Sequence, residues 1–209
     1  MDILDEERSA PPFPVPAIRV PLIAIRHGQT DWNAEGRLQG QRDIPLNDTG
    51  RGQAKNNGAT LARRIGRGEG WAFVSSPLSR AQETMRIVRG ELGIDPNAYG
   101  IEPAITEATF GDLEGWTMAE LKAKDKPAHR ARKNDRWGYV PPNGESYIML
   151  AERVSRWLET LSEPTVAVCH GGVIRIFRAM VEGDHPNLFD GPPTQEKIYV
   201  IENGTGRWV

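Results

Sequence analysis

The chain has 209 residues, 26 of them basic and 28 acidic, for a formal net charge of −2. That balance excludes a generic binder of nucleic acid or anionic membranes, since neither sign of charge dominates. A charged fraction of 26% with 38% hydrophobic residues excludes global disorder, and the length suits one large domain or a domain with an inserted cap. The single cysteine, Cys169, rules out an intramolecular disulfide and any multi-cysteine zinc site. Any histidine chemistry has four candidates: His27, His129, His170 and His185.

In chain order, the first segment is acidic (Met-Asp-Ile-Leu-Asp-Glu-Glu), without the basic start and apolar run of a signal peptide. No window approaches the roughly 18 apolar residues of a spanning helix, so the expected location is the cytoplasm. Four prolines between Ser9 and Pro16 make residues 1–17 an expected flexible arm. Leu22 to Ile25 is a short apolar run, a candidate buried strand. Ala54, Gly58, Leu61 and Ile65 recur at helical spacing. Ala72 to Val74 is a second strand candidate. Leu78 to Leu92 reads as a helix, with Ser76 as its cap and Pro77 in its first turn. Ala104 to Thr106 is a third strand candidate, and Ala151, Val154, Leu158 and Leu161 mark a helix opening near Ser146. Thr165 to Cys169 is the clearest strand, and Val173, Phe177, Met180 and Val181 follow at helical spacing. Ile198 to Ile201 is a terminal strand ending at an Asn203-Gly204 turn. Alternation of strands and helices predicts an α/β fold.

Polar clusters follow the four internal strand candidates: Arg26-His27-Gly28, Ser75 to Arg80, Glu107, and His170-Gly171-Gly172. Ligands in open α/β sheets bind beyond the carboxyl ends of the strands, so these segments are expected to converge on one pocket. Arginine offers a permanent charge and a planar fork of donors for phosphate oxygens. A neutral imidazole can attack phosphorus, and neighbouring cations keep it neutral by lowering its pKa. A carboxylic acid can protonate the leaving oxygen. Gly28 removes a side chain beside the candidate nucleophile, allowing a close approach. Cys169, preceding His170 on a strand, is expected to face away from it into the core.

Arg26-His27-Gly28-Gln29-Thr30 resembles the signature of the histidine phosphatase superfamily, also called the phosphoglycerate mutase-like family. Further blocks match in order: Arg37 to Gly40 with Asp43 to Leu46 and Gly50 to Ala54, then Ser75 to Thr84, Glu107 to Gly115, Asn143 to Ser146, and Cys169 to Gly172. The resemblance spans roughly Leu22 to the C-terminus. It implies a three-layer α/β/α sandwich with a mostly parallel central sheet over residues 18–209, with a small inserted helical lid at about 116–142. It implies His27 as the nucleophile, Arg26, Arg80 and His170 as phosphate ligands, and Glu107 as the general acid. Asn33, Gln39, Gly40, Gly28 and Gly171 would contact phosphate or shape the pocket. No metal and no cofactor would be required.

The residues after Glu107 separate two activities within that resemblance. Glycolytic mutases of the family commonly carry Glu-Arg-His-Tyr-Gly there, whereas this chain has Ala108-Thr109-Phe110. The arginine and tyrosine that would grip a second anionic group are missing. The resemblance thus implies the phosphatase branch: hydrolysis of a small phosphorylated metabolite through a phosphohistidine. Cofactor-dependent mutase transfer, or a catalytically silent phosphate-binding module, are the alternatives. Glu114 is expected to pair with an arginine in a structural role, and His185 to be structural or to lie at the surface. Lys122 to Arg136 is the most basic stretch, read either as a solvated helix face or as a lid adding cations to the pocket. Expected partners are a small phosphorylated substrate and, through a strand edge or the arm, a homodimer; no nucleic acid or membrane is expected.

Overall fold

The computed structural model describes residues 9–209. Its centre is a six-stranded sheet built from β1 (Leu22–Arg26), β2 (Ala72–Ser75), β3 (Gly100–Ile101), β4 (Thr165–Cys169), β5 (Ile198–Glu202) and β6 (Thr205–Trp208), in the order β3-β2-β4-β1-β5-β6. The first four strands are mutually parallel, and β5 and β6 add antiparallel at one edge. Central β1 and β4 have every residue buried, which is why they read as continuous apolar runs.

The period-two alternation of strands still sorts their side chains into two cores. Ile23, Ile25, Val166, Val168, Ile198 and Val200 face one side, under α2 (Asp48–Ile65) and α3 (Ser79–Glu91). Leu22, Ala24, Ala167, Cys169, Tyr199 and Ile201 face the other, under α6 (Tyr147–Thr160) and α7 (Gly171–Glu182). The result is the expected three-layer α/β/α sandwich. A short α1 (Asp31–Ala34) follows β1, and the stretch between Glu107 and α6 carries two small helices, α4 (Met118–Lys124) and α5 (Lys126–Asn134).

Several expectations change. Ala104 to Thr106 is no strand: Pro103–Ile105 forms a 3-10 turn, and the third strand lies earlier, at Gly100–Ile101. Pro103 at the first position of the turn favours that bend over an extended ladder. The helix expected from Leu78 begins at Ser79, and Ser76 does not cap it. Asp43 does so from a distant loop, its Oδ1 accepting from the Ser79 backbone N–H (2.9 Å) and hydroxyl (2.7 Å). Asn203-Gly204 closes a hairpin onto β6, absent from the sequence reading because its Thr-Gly-Arg-Trp has little apolar content.

The arm expected to be flexible is docked over its described part, residues 9–17; residues 1–8 lie outside the described residues. Phe13 is buried edge-on against Trp137, with ring centroids 5.1 Å apart. The Ser155 hydroxyl donates to the Pro14 carbonyl (3.0 Å). The prolines keep the segment extended, and one aromatic residue supplies the burial that holds it.

Candidate active site

Strand register builds the site. Arg26 pairs with Cys169 across β1 and β4, so the next residues, His27 and His170, emerge side by side with ring centroids 5.1 Å apart. Ser75 pairs with Val168 across β2 and β4, which brings Ser76 beside His170. The Ser76 hydroxyl lies 2.7 Å from His170 Nε2. The residue expected to cap a helix is thus a partner of the second histidine. Cys169 faces the core, as the alternation predicts, and burial holds its thiol well above the ordinary range.

The state of His27 follows from its two partners. Nδ1 lies 2.7 Å from the Gly28 carbonyl, which only accepts, so Nδ1 carries the proton. Nε2 is left with a lone pair and receives the Nε–H of Arg80 at 3.3 Å. Burial, Arg80 and then Arg26 hold the His27 pKa well below its usual value. His170 is held low by burial and by Arg80, His27 and Arg26. Among the described residues its Nδ1 is buried without a hydrogen-bond partner, as is Nε of Arg26. Both atoms belong to the cluster around His27, and a buried N–H without an acceptor is costly unless a ligand supplies one.

The arginines are pinned by backbone carbonyls. Arg26 Nη1 donates to Pro193 (2.5 Å), and Arg80 donates to Arg42 (2.7 Å) and Gly40 (2.8 Å). Neither has a carboxylate within ion-pair distance among the described residues. Burial, opposed by Glu107 and helped by Arg175, pushes the Arg26 pKa down to about 10. The Arg80 pKa is also lowered by burial. Buried cations without counter-ions mark a place for an anion.

Glu107 follows the 3-10 turn rather than a strand, yet it reaches the cluster. Its Oε2 accepts from Gly172 N at the start of α7, and its Oε1 from Ala108 N, both at 3.0 Å. A Cβ on residue 172 would lie 2.2 Å from Glu107 Oε1, so this position has no room for a side chain. Arg153, on α6, donates to the carbonyls of Thr106 (2.7 Å) and Glu107 (3.2 Å) and pairs with Glu145 (2.9 Å), fixing the backbone that carries the carboxylate.

Arg26, His27, Arg80 and Glu107 line a cavity of about 530 Å³ that also takes in Asn33, Gln39, Gly40 and Gly171, whereas His170 is fully buried behind that wall. Gly28 is not part of its wall. A Cβ there would stand 2.2 Å from the Gly50 carbonyl, so Gly28 admits helix α2 rather than substrate. Asn33 Oδ1 accepts from Thr30 N and from Gln195 Nε2 (3.0 Å), and Gln195 also donates to the His27 carbonyl (3.0 Å). Gln195, Arg175 and Tyr147 were not foreseen as site residues, and nothing local in sequence marks them, because each joins the site only across long chain separations; Ser76 lay in the expected strand-end cluster, but only as a helix cap.

The lid contributes one face of α5 and its exit: His129, Arg132, Lys133 and Arg136 line the cavity, whereas Arg130 does not. The spacing of three and four residues places these side chains on one side of the helix. Glu114 has the expected structural role, ion-paired with Arg42 (3.2 Å) and accepting from Gln41 N and Phe110 N. His185 lies against Glu182 (3.1 Å), outside the cavity. Among the described residues, no group of three His, Cys, Asp or Glu is placed to hold a metal ion, and no helix is long and apolar enough to cross a membrane.

Comparison with known proteins places this geometry. Residues 22–209 match the model of the histidine phosphatase superfamily (branch 1). The glucosyl-3-phosphoglycerate phosphatase of Mycolicibacterium vanbaalenii is 34% identical over 78% of this chain and 74% of its own length. The 2,3-bisphosphoglycerate-dependent phosphoglycerate mutase of Beijerinckia indica is 30% identical over 86% and 89%. Among solved structures, the α-ribazole phosphatase of Shigella flexneri superposes with a TM-score of 0.73 at 27% identity, covering 90% of this chain and 94% of that one. The mycobacterial glucosyl-3-phosphoglycerate phosphatase in complex with VO3 also gives 0.73, at 28% identity over 90% and 96%.

Proposed function

The chain belongs to branch 1 of the histidine phosphatase superfamily, and on that footing we propose that it hydrolyses a small phosphorylated metabolite through a phosphohistidine on His27. The observation that carries this reading is the bare Nε2 of His27, its lone pair fixed by the Gly28 carbonyl on the other nitrogen and surrounded by buried cations.

In the first step Nε2 attacks phosphorus and the P–O bond to the metabolite breaks. Arg26, Arg80 and His170 bind the phosphoryl oxygens and stabilise the charge as it spreads over them. The leaving oxygen takes its proton from the Glu107 carboxyl. In the second step water attacks phosphorus, Glu107 accepts the water proton, and the P–N bond breaks to regenerate neutral His27. The two arginines and the α7 N-terminus supply the positive field, and neutral His170 adds a hydrogen bond, so the scheme requires no metal.

Hydrolysis rather than mutase transfer is favoured by Ala108-Thr109-Phe110, which places no cation next to Glu107. The lid cations support a mutase-type second anion site, and mutases stand among the relatives, so transfer is the second reading. A panel of phosphometabolites, with 3-phosphoglycerate plus 2,3-bisphosphoglycerate as the mutase control, separates the two. Labelled phosphomonoester quenched in alkali should leave an acid-labile phosphoryl group on His27. Unchanged p-nitrophenyl phosphate hydrolysis by His27→Ala would refute the mechanism.

A further inference from the structure

The family match begins at residue 22, so the docked arm is an addition to the shared domain. Besides the Pro14–Ser155 bond to α6, it makes contacts at two points that lead to the cavity wall. Phe13 packs edge-on against Trp137, at the exit of the lid. Trp137 in turn meets Phe189 at 4.7 Å and Tyr147 at 6.1 Å, and those two rings are 5.7 Å apart. Phe189 and Tyr147 line the cavity. Their faces carry the buried Arg175 guanidinium at 5.0 and 5.3 Å, and Arg175 donates to the Tyr147 hydroxyl (2.8 Å). Phe189 also lies under Arg136 at 5.3 Å.

The second point is Asp184. Ser9 and Asp184 exchange two backbone hydrogen bonds (3.2 and 2.7 Å), and the Asp184 carboxylate accepts from Trp137 Nε1 (3.0 Å). Asp184 opens the loop 184–197, whose Pro193 holds Arg26 and whose Gln195 holds the His27 carbonyl and Asn33. The loop has little regular structure of its own beyond the 3-10 turn Pro186–Phe189, so its position depends on what clamps it.

We propose that the N-terminal arm is a clasp that positions the far wall of the cavity, with Phe13 as its key positioning residue for binding the organic part of the substrate. Phe13 touches no reacting atom. It acts through Trp137, which joins the lid exit to the 184–197 loop and so sets Phe189, Tyr147 and the cations stacked on them. The inference rests on the phosphatase reading, because it takes the cavity as the substrate site. It predicts a loss that falls mainly on the organic half of the substrate, since His27 and His170 are set by sheet register and Arg80 by the Gly40 and Arg42 carbonyls, while the loop reaches the phosphate end only through Pro193 and Gln195.

The test uses the full chain with Phe13→Ala, p-nitrophenyl phosphate as substrate and orthovanadate as an inhibitor that carries no organic part. KM should rise about three- to tenfold with kcat within about twofold, and the vanadate inhibition constant should rise clearly less than KM. Amide exchange should quicken in 184–196 and not in β4. Phe13→Leu, which keeps apolar bulk, should restore most of the KM; if Phe13→Ala does not fold, Phe13→Val, which keeps part of the bulk, should show the same KM rise in smaller measure. An unchanged KM and exchange pattern, or an equal loss of vanadate and substrate binding, would overturn the clasp. Absence of any hydrolysis by the unmutated chain would instead overturn the phosphatase reading.

Discussion

Arg26, His27 and His170 stand at the ends of two fully buried parallel strands, held by ladder register and by carbonyls. Arg132, Lys133 and Arg136 stand on, and just beyond, a nine-residue lid helix with no buried residue. Both regions are cationic, yet they are built for different work. At the strand ends, burial raises the cost of charge, keeps both imidazoles neutral and leaves buried donors for an anion. On the lid, water screens the charges, and among the described residues Arg132 and Arg136 are held only by stacking on Phe110 and Phe189, an arrangement suited to attracting an anionic substrate without fixing a reacting atom. The difference assigns chemistry to the floor and specificity to the lid. It also explains why a net charge of −2 conceals a phosphate site.

The comparison is broken or sharpened by a graded series. His27→Ala should abolish p-nitrophenyl phosphate hydrolysis, lowering kcat by about 10⁴-fold or more, since the nucleophile has no substitute in the floor. Arg80→Ala, read by steady-state kinetics, should lower kcat/KM by about 10²–10³-fold, because it removes a donor to the transferring group and releases the Gly40–Arg42 loop. Glu107→Gln should cost about 10²-fold on an alkyl phosphate and far less on p-nitrophenyl phosphate, whose leaving group needs no proton. Equal losses on both substrates would remove Glu107 from the role of acid.

Stability provides the next contrast. The folded-state pKa values of His27 and His170 lie below the unfolded value of about 6.5. Between those limits the unfolded chain binds more protons. The stability these rings provide is therefore complete above pH 6.5 and falls as pH drops toward their folded values, by up to about 1.4 kcal/mol per pH unit per ring. Tm in phosphate-free buffer should fall between pH 7 and 5, and His170→Ala should flatten that slope. The smallest effect is expected at the lid. Arg132→Ala with Lys133→Ala should raise KM a few-fold for a substrate bearing a second anionic group, with kcat unchanged, and Arg130→Ala should do nothing. A large kcat effect from the lid pair would erase the division between floor and lid.

Much of the floor was legible because its residues sit where local patterns end. Thr165 to Cys169 was bounded by Pro164 and Gly171, and the strand matches residue for residue, so His170 was placed at a strand end from local signals alone. Glu107 was placed in the site for partly the wrong reason: it follows a 3-10 turn, and Arg153 and Gly172 hold it where the argument expected a strand to do so. Gly28 was read as an opening for substrate, whereas it is an opening for Gly50 of α2.

The sequence by itself determined the alternation of elements, the strand-end positions of the candidate residues His27 and His170, and the isolation of Cys169 in the core. Each of these follows from local periodicity, turn residues and short motifs, which act over a few residues of chain. Only the tertiary structure decided which nitrogen of His27 is bare, which lid cations face the cavity, and that Gln195, Tyr147, Arg175 and the arm belong to the site. Those outcomes depend on sheet order and on contacts between segments more than a hundred residues apart, such as Arg26 with Pro193 and Ser155 with Pro14. No pattern along the chain encodes such contacts one residue at a time; they exist because two buried faces can close in only one register.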